Sequence, residues 1–132
     1  MTSSTDPTTE SICLLDDDPA VLKSIRRLLA CDGFGVCTFT QPNSFLDYAS
    51  EHPVQLAIID IWIEEMNGLE VQTKLSKVSP RTRVIIMTGW VDPAAKEAAL
   101  KAGAMAFFVK PFDDGEFLDA VRRGVDQEKD GG

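Results

Sequence analysis

Residues 12–33 read ICLLDDDPAVLKSIRRLLACDG, and the order of patterns inside this stretch decides the fold. Ile12–Leu15 is a short, uninterrupted apolar run, the mark of a strand buried on both faces. Three acids follow, and then a helix opens with Asp18 as N-cap and Pro19 in the first helical position, where the missing N–H costs nothing. Val21, Leu22, Ile25, Leu28 and Leu29 recur at helical spacing as one apolar stripe, and Gly33 lies just past the end. A buried strand leading straight into an amphipathic helix is the first half of a βαβ unit.

The same alternation recurs along the chain. Val36–Phe39, Leu56–Ile59, Val84–Met87 and Met105–Val109 are further strand-like runs. The second helix is weaker, opening at Pro42 with Phe45, Leu46 and Ala49. The third begins near Asn67, with Glu70 placed for a capping box and Val71, Leu75 and Val78 turned inward. The fourth repeats the Asp–Pro opening at Asp92–Pro93 and stops near Gly103. The fifth pairs Asp113 with Glu116 as a capping box and carries Phe117, Leu118, Val121 and Val125. Five strands alternating with five helices predict an α/β domain, a parallel sheet with helices on both faces. Residues 1–10 have no hydrophobic period and read as an N-terminal tail. Residues 11–127 form the predicted domain, and residues 128–132 read as a C-terminal tail.

Composition sets the outer limits. The chain has 132 residues, enough for one domain that buries roughly two-thirds of its unfolded surface without disulfide or metal staples. Hydrophobic residues at 44% and charged residues at 26% are those of an ordinary globular protein. Thirteen Lys and Arg against 21 Asp and Glu give a net charge of −8, which argues against a general affinity for nucleic acid or an anionic membrane. No apolar run approaches the ~20 residues needed to span a bilayer, and Met1–Ser11 lacks a signal-peptide core. Cys13, Cys31 and Cys37 are odd in number and lack CxxC spacing, so they are expected as packing thiols of a reduced cytoplasmic protein.

Ligands of such sheets bind beyond the carboxyl ends of the strands. Asp16, Asp17 and Asp18 follow the first strand, Asp60 the third, Thr88 and Gly89 the fourth, and Lys110 and Pro111 the fifth. Clustered carboxylates need a counter-charge, and oxygen ligands suit Mg²⁺. A lysine and a threonine supply donors for phosphoryl oxygens, and an aspartate can accept a phosphoryl group as an acyl phosphate. Taken singly, each has an ordinary reading: Asp18 as a cap, Lys110 as a surface lysine, Thr88 as a strand-end hydroxyl. Their joint placement at four strand ends points to one site.

These residues, with their motifs, resemble the receiver (CheY-like) domain of bacterial two-component response regulators. The resemblance covers Ser11 to Val125 and rests on Leu-Leu-Asp-Asp-Asp-Pro (14–19), Ile-Ile-Asp (58–60), Met-Asn-Gly-Leu-Glu (66–70), Met-Thr-Gly (87–89), Ala-Gly-Ala (102–104) and Val-Lys-Pro-Phe (109–112). The spacings, 28 residues from Asp60 to Thr88 and 22 from Thr88 to Lys110, fit as well. It implies a flavodoxin-like (βα)₅ sandwich with strand order 2-1-3-4-5. Asp60 would accept the phosphoryl group from a sensor histidine kinase or phosphotransfer protein. Asp17 and Asp60, with the backbone carbonyl of Trp62, would hold Mg²⁺, and Asp16 would act through water. Lys110 would pair with Asp60, Thr88 would swing to a phosphoryl oxygen, and Phe107 would follow inward as the aromatic switch. The Lys110–Pro111 bond would be cis. Such a protein is a signalling switch that catalyses its own phosphorylation and dephosphorylation, not an enzyme acting on a separate substrate.

The chain also departs from the family pattern. Ile63 and Glu64 stand where a Met-Pro pair is usual, which predicts a freer loop. Trp62, Trp90 and Gly89 occupy positions that flank the phosphoryl group; for the two tryptophans core packing is an equal expectation. His52 reads as a surface residue at a helix end. The face of helix four, strand five and helix five, here with Lys96, Lys101, Asp119, Arg122 and Arg123, would dimerise or dock an effector, or simply be solvated. The sequence style is that of receivers preceding DNA-binding domains, yet nothing within this chain could read DNA. Two other functions compete. One is a degenerate receiver acting as a phosphorylation-independent interaction module. The other is a haloacid-type aspartyl-phosphate hydrolase, for which Asp16-Asp17-Asp18-Pro19-Ala20 lacks the full nucleophile motif.

Overall fold

In a computed structural model, residues 11–90 and 92–131 are described, with side chains through Val125. The N-terminal segment read above as a tail lies outside them. The elements alternate as expected: β1 (Ile12–Leu15), α1 (Pro19–Cys31), β2 (Val36–Phe39), α2 (Pro42–Glu51), β3 (Leu56–Asp60), α3 (Gly68–Val78), β4 (Arg83–Thr88), α4 (Pro93–Lys101), β5 (Ala106–Val109) and α5 (Asp114–Gly131). All strand pairs are parallel, in the order β2-β1-β3-β4-β5. None of the described helices is long and apolar enough to cross a membrane.

Strand alternation sorts the core into two layers. Cys13, Leu15, Ala57, Ile59, Val84 and Ile86 pack with Phe45 and Ala49 of α2, Val71 and Leu75 of α3, and Ala95 and Ala99 of α4. On the opposite face, Ile12, Leu14, Leu56, Ile58, Ile85 and Met87 pack with Leu22, Ile25 and Leu29 of α1 and Phe117, Ala120 and Val121 of α5. Burial on both faces holds for β1 and β3, every residue of which is buried, and for β4 beyond Arg83. It fails for β5 and most of β2, because an edge strand has a neighbour on one side only.

The helix ends follow the local chemistry. Asp18 Oδ1 accepts from Ala20 N at 3.0 Å, Asn67 Oδ1 caps Leu69 N, and Asp92 Oδ1 accepts from Ala94 N and Ala95 N. At α5, Asp113 Oδ2 accepts from Glu116 N at 2.8 Å, one half of the expected box. Three expectations need correction. Val78 is 44% exposed, because α3 ends there and Pro80 turns the chain away. Cys31 is exposed at the last residue of α1 and packs in neither layer. Helix α5 continues to Gly131 through the residues read as a tail, since Gln127, Glu128 and Lys129 favour helix without adding to an apolar stripe.

A candidate phosphoacceptor site at the sheet edge

Strand register brings the chemistry to one edge. Leu15 is level with Ile59, Asp60 with Met87, and Thr88 with Val109, so residues just beyond these pairs converge. The ladder is carried past the strand ends by Asp16 N to Phe39 O at 3.1 Å, Ile61 N to Met87 O at 3.0 Å, and Lys110 N to Thr88 O at 2.7 Å. The carboxylates of Asp16, Asp17 and Asp60 each place one oxygen within 4.8 Å of the others. Asp16 and Asp60 are buried, while Asp17 is exposed.

The lysine pairs with two of the acids. Lys110 Nζ donates to Asp16 Oδ2 at 2.9 Å and lies 3.5 Å from Asp60 Oδ1. The other Asp16 oxygen accepts from Asp18 N at 2.9 Å, so the first acid is fully engaged. At 3.5 Å the ammonium is an electrostatic neighbour of Asp60, and the buried Oδ1 has no hydrogen-bond partner. Burial, then the charge of Asp16, push the Asp60 carboxyl up to about 6; Lys110 opposes this and Asp17 adds to it. For Lys110, burial works against the ammonium, but the hydrogen bond to Asp16 and the charges of Asp60 and Asp16 hold its pKa above the ordinary lysine value. A buried acceptor oxygen among three acids, with only one ammonium beside them, fits an oxygen-ligated divalent cation.

Thr88 is buried, and its hydroxyl is turned onto its own loop: Oγ1 accepts from Trp90 N at 3.1 Å and donates to Trp90 O at 3.2 Å. Phe107 is half-buried against the layer formed by α2, α3 and α4. Gly89 is exposed, and a Cβ there would meet nothing within 4 Å. The Lys110–Pro111 bond is cis. Trp62 is 47% and Trp90 70% exposed, which excludes the core-packing reading; with Asp92 they line an open groove of ≈ 240 Å³. A larger groove of ≈ 530 Å³ lies among Val54, Pro80, Arg83 and Gly124 and contains none of these acids.

The loop from Ile61 to Asn67 is held at several points. Ile61 and Ile63 are buried, Ile63 N bonds Ile61 O at 3.1 Å, and Met66 N bonds Glu64 O at 2.7 Å. Glu65 takes a positive φ of 73°. Glu64 N donates to Asp17 Oδ2 at 3.2 Å, a bond that a proline at this position would lack. The freer loop expected from the missing proline is therefore tied by apolar burial and by that extra donor. Gly68, within the Met-Asn-Gly-Leu-Glu motif, positions the site. Its N–H bonds Ile61 O at 2.8 Å, and a Cβ would press on the Asp60 carbonyl oxygen and stand 2.7 Å from Ile61 Cα. A glycine one residue into a helix after a strand-end acid is a visible signal for such close approach.

Residues outside the site also resolve. His52 caps α2, stacks on Tyr48 at 4.1 Å and lies 3.1 Å from Tyr48 O through Nδ1, the helix-end role expected of it. Cys13 is buried, and burial followed by the neighbouring Cys37 pushes its thiol up to about 12. Arg122 bonds both oxygens of Asp32, beyond the end of α1, at 2.8 and 2.9 Å. Its guanidinium is thus committed to α1 and is not free on the α4–β5–α5 face, whereas Arg123 pairs with Asp119 along α5.

Comparison with known proteins agrees with this geometry. Residues 12–122 match the family model described as the response regulator receiver domain. The response regulator protein TodT of Pseudomonas putida is 36% identical over 114 residues, which cover 86% of this chain and 50% of that protein. The transcriptional regulatory protein FixJ of Azorhizobium caulinodans is 32% identical over 126 residues, 96% of this chain and 60% of that one. The chain thus spans between half and three-fifths of these relatives' length. Among solved structures, a CheY-like receiver domain protein from Methanospirillum hungatei superposes with a TM-score of 0.85 at 28% identity, covering 92% of this chain and 97% of its own.

Proposed function

The chain belongs to the response regulator receiver domain family, and from that premise we propose that it is a phosphorylation-dependent signalling switch with Asp60 as phosphoacceptor. The observation that carries this reading is the buried, hydrogen-bond-free Oδ1 of Asp60, set at a strand end between two further acids and a lysine. An Asp60 carboxylate oxygen forms the new O–P bond as the N–P bond of a sensor kinase's phosphohistidine breaks, and the histidine leaves with that electron pair. Asp17, Asp60 and the Trp62 carbonyl would hold Mg²⁺, with Asp16 acting through water. When bound, the ion neutralises phosphoryl oxygens and offsets the three acids.

The chain's own groups do the remainder. Lys110, poised between Asp16 and Asp60, offers its ammonium to the incoming phosphoryl oxygens. Thr88 gives up its two contacts with Trp90 for a phosphoryl oxygen. That exchange frees the β4–α4 connection and lets Phe107 move inward, changing the surface presented to partners. Trp62, on the loop that follows Asp60, and Trp90, on the neighbouring β4–α4 connection, hinder attack of water on the acyl phosphate. The work of such a domain is regulated binding, and its cytoplasmic location follows from its kinase partner.

The test is incubation with Mg²⁺ and acetyl phosphate, followed by intact-mass analysis, with beryllofluoride and tryptophan fluorescence in parallel. One phosphoryl group on the wild-type chain, none on Asp60→Asn, and a fluorescence change confined to the wild type support the reading. No transfer and no response would leave the phosphorylation-independent interaction module in its place.

A further inference from the structure

Trp62, Val78, Trp90 and Leu100 are the large apolar side chains exposed among the described residues, and the two tryptophans share one groove. They come from different loops, Trp62 after β3 and Trp90 after β4. The third lining residue is Asp92. Its Oδ1 caps α4 through Ala94 N and Ala95 N, and no described cation forms an ion pair with it. Glu64 and Glu65, on the same loop as Trp62, are exposed and likewise unpaired with any cation among the described residues. Aromatic surface with a carboxylate at its edge attracts a flat, delocalised cation, because the ring quadrupole and the carboxylate favour the same charge.

We infer that the Trp62–Trp90–Asp92 groove is a docking cleft for an arginine side chain on a basic segment of a protein partner. Two features select this occupant. With Trp90 70% exposed and a volume of ≈ 240 Å³, the groove is too open to enclose a free small molecule, but it suits one side chain whose carrier covers the rest. The groove has Asp92 in its lining and Glu64 and Glu65 on the loop of Trp62, in a chain with net charge −8. Guanidinium is preferred to ammonium because it is planar, weakly hydrated and able to stack on indole while hydrogen-bonding a carboxylate. The groove is present without phosphorylation, so this inference stands apart from the phosphoacceptor reading. Docking can fail while phosphotransfer succeeds, and the reverse.

The test uses the full chain labelled with ¹⁵N, without Mg²⁺ or phosphodonor. The sequence has two tryptophans, so two indole N–H signals report the groove, assigned with Trp62→Phe and Trp90→Phe. A short capped peptide carrying arginines among glycine and serine is titrated against the same peptide with neutral citrulline in place of arginine. Both indole signals should move saturably, with half-saturation about fivefold lower for the arginine peptide. Asp92→Asn keeps the helix cap, since Asn caps as well as Asp, and should remove most of that advantage. Equal titrations for arginine and citrulline, unmoved indole signals, or an undiminished advantage in Asp92→Asn would each overturn the inference.

Discussion

Replacing Gly68 by alanine tests whether the site is held by backbone packing at the start of α3. The new Cβ would press on the Asp60 carbonyl oxygen and stand 2.7 Å from Ile61 Cα and 3.0 Å from Asp60 C, where ordinary contacts begin near 3.4 Å. All three atoms are backbone and cannot rotate aside, so helix and strand end must separate, stretching the 2.8 Å bond from Gly68 N to Ile61 O. Forcing atoms into such a contact costs about 1–3 kcal/mol. Alanine returns at most about 0.5–1 kcal/mol through helix preference, and less at a first helical position. The net loss of about 1–2 kcal/mol lowers the melting temperature by about 3–8 °C for a chain this size. Thermal unfolding followed by circular dichroism measures it, and the rate of phosphorylation by acetyl phosphate should fall because Asp60 moves with its backbone. Gly89→Ala, whose Cβ meets nothing within 4 Å, is the control and should melt within about 0.5 kcal/mol of wild type. A Gly68→Ala protein that melts with or above this control, and phosphorylates normally, would refute the reasoning.

Three further outcomes follow from the same geometry. Asp60 has a folded pKa raised from 3.8 to about 6, so the fold holds a proton that the unfolded chain has lost between those values. The stability from this group is therefore present below pH 4 and lost as pH rises through 6. In chelator-treated buffer, Asp60→Asn should gain about 2 kcal/mol on wild type between pH 4 and 7 after allowance for solvent screening, and parallel stability curves would contradict this. Magnesium at ten times its dissociation constant should stabilise the wild type by about 1.4 kcal/mol in a thermal-shift assay and do little for Asp17→Asn; an equal shift in both would remove Asp17 from the ligand set. Trp62→Asn and Trp90→Ala should each speed loss of the phosphoryl group, measured by decay of the phosphorylated mass after donor removal, and unchanged or slower decay would dismiss the shielding role.

Much of this was legible because local chemistry and global fold agree. The Asp–Pro openings of α1 and α4 and the branched runs of β1 and β3 each specify one conformation, and the acids follow the strands at their carboxyl ends. What escaped the sequence is set across the sheet. That Lys110 donates to Asp16 while Asp60 Oδ1 goes without depends on the lateral position of β5 relative to β1 and β3, which no spacing along the chain encodes. The orientation of the Thr88 hydroxyl is a choice among rotamers. Trp62 and Trp90 have the composition of core residues and the location of surface ones, and only the placement of their loops separates the two. The loss of proline at Glu64 read as a deficit because its consequence, an added N–H toward Asp17, needs a partner 47 residues away.

Strand β3 lies third of five, flanked by β1 and β4, with all of its residues buried. Exchange of its amide hydrogens with solvent therefore requires opening of the sheet from both sides, and β3 belongs to the last part of the molecule to yield. The carboxylate proposed to react is anchored to this fully buried central strand, whereas the groups proposed to meet partners ride on the loops beyond it. On the proposed mechanism, charge arriving at Asp60 would meet an unyielding support, and the response would be directed outward into Thr88, Trp90 and the start of α4.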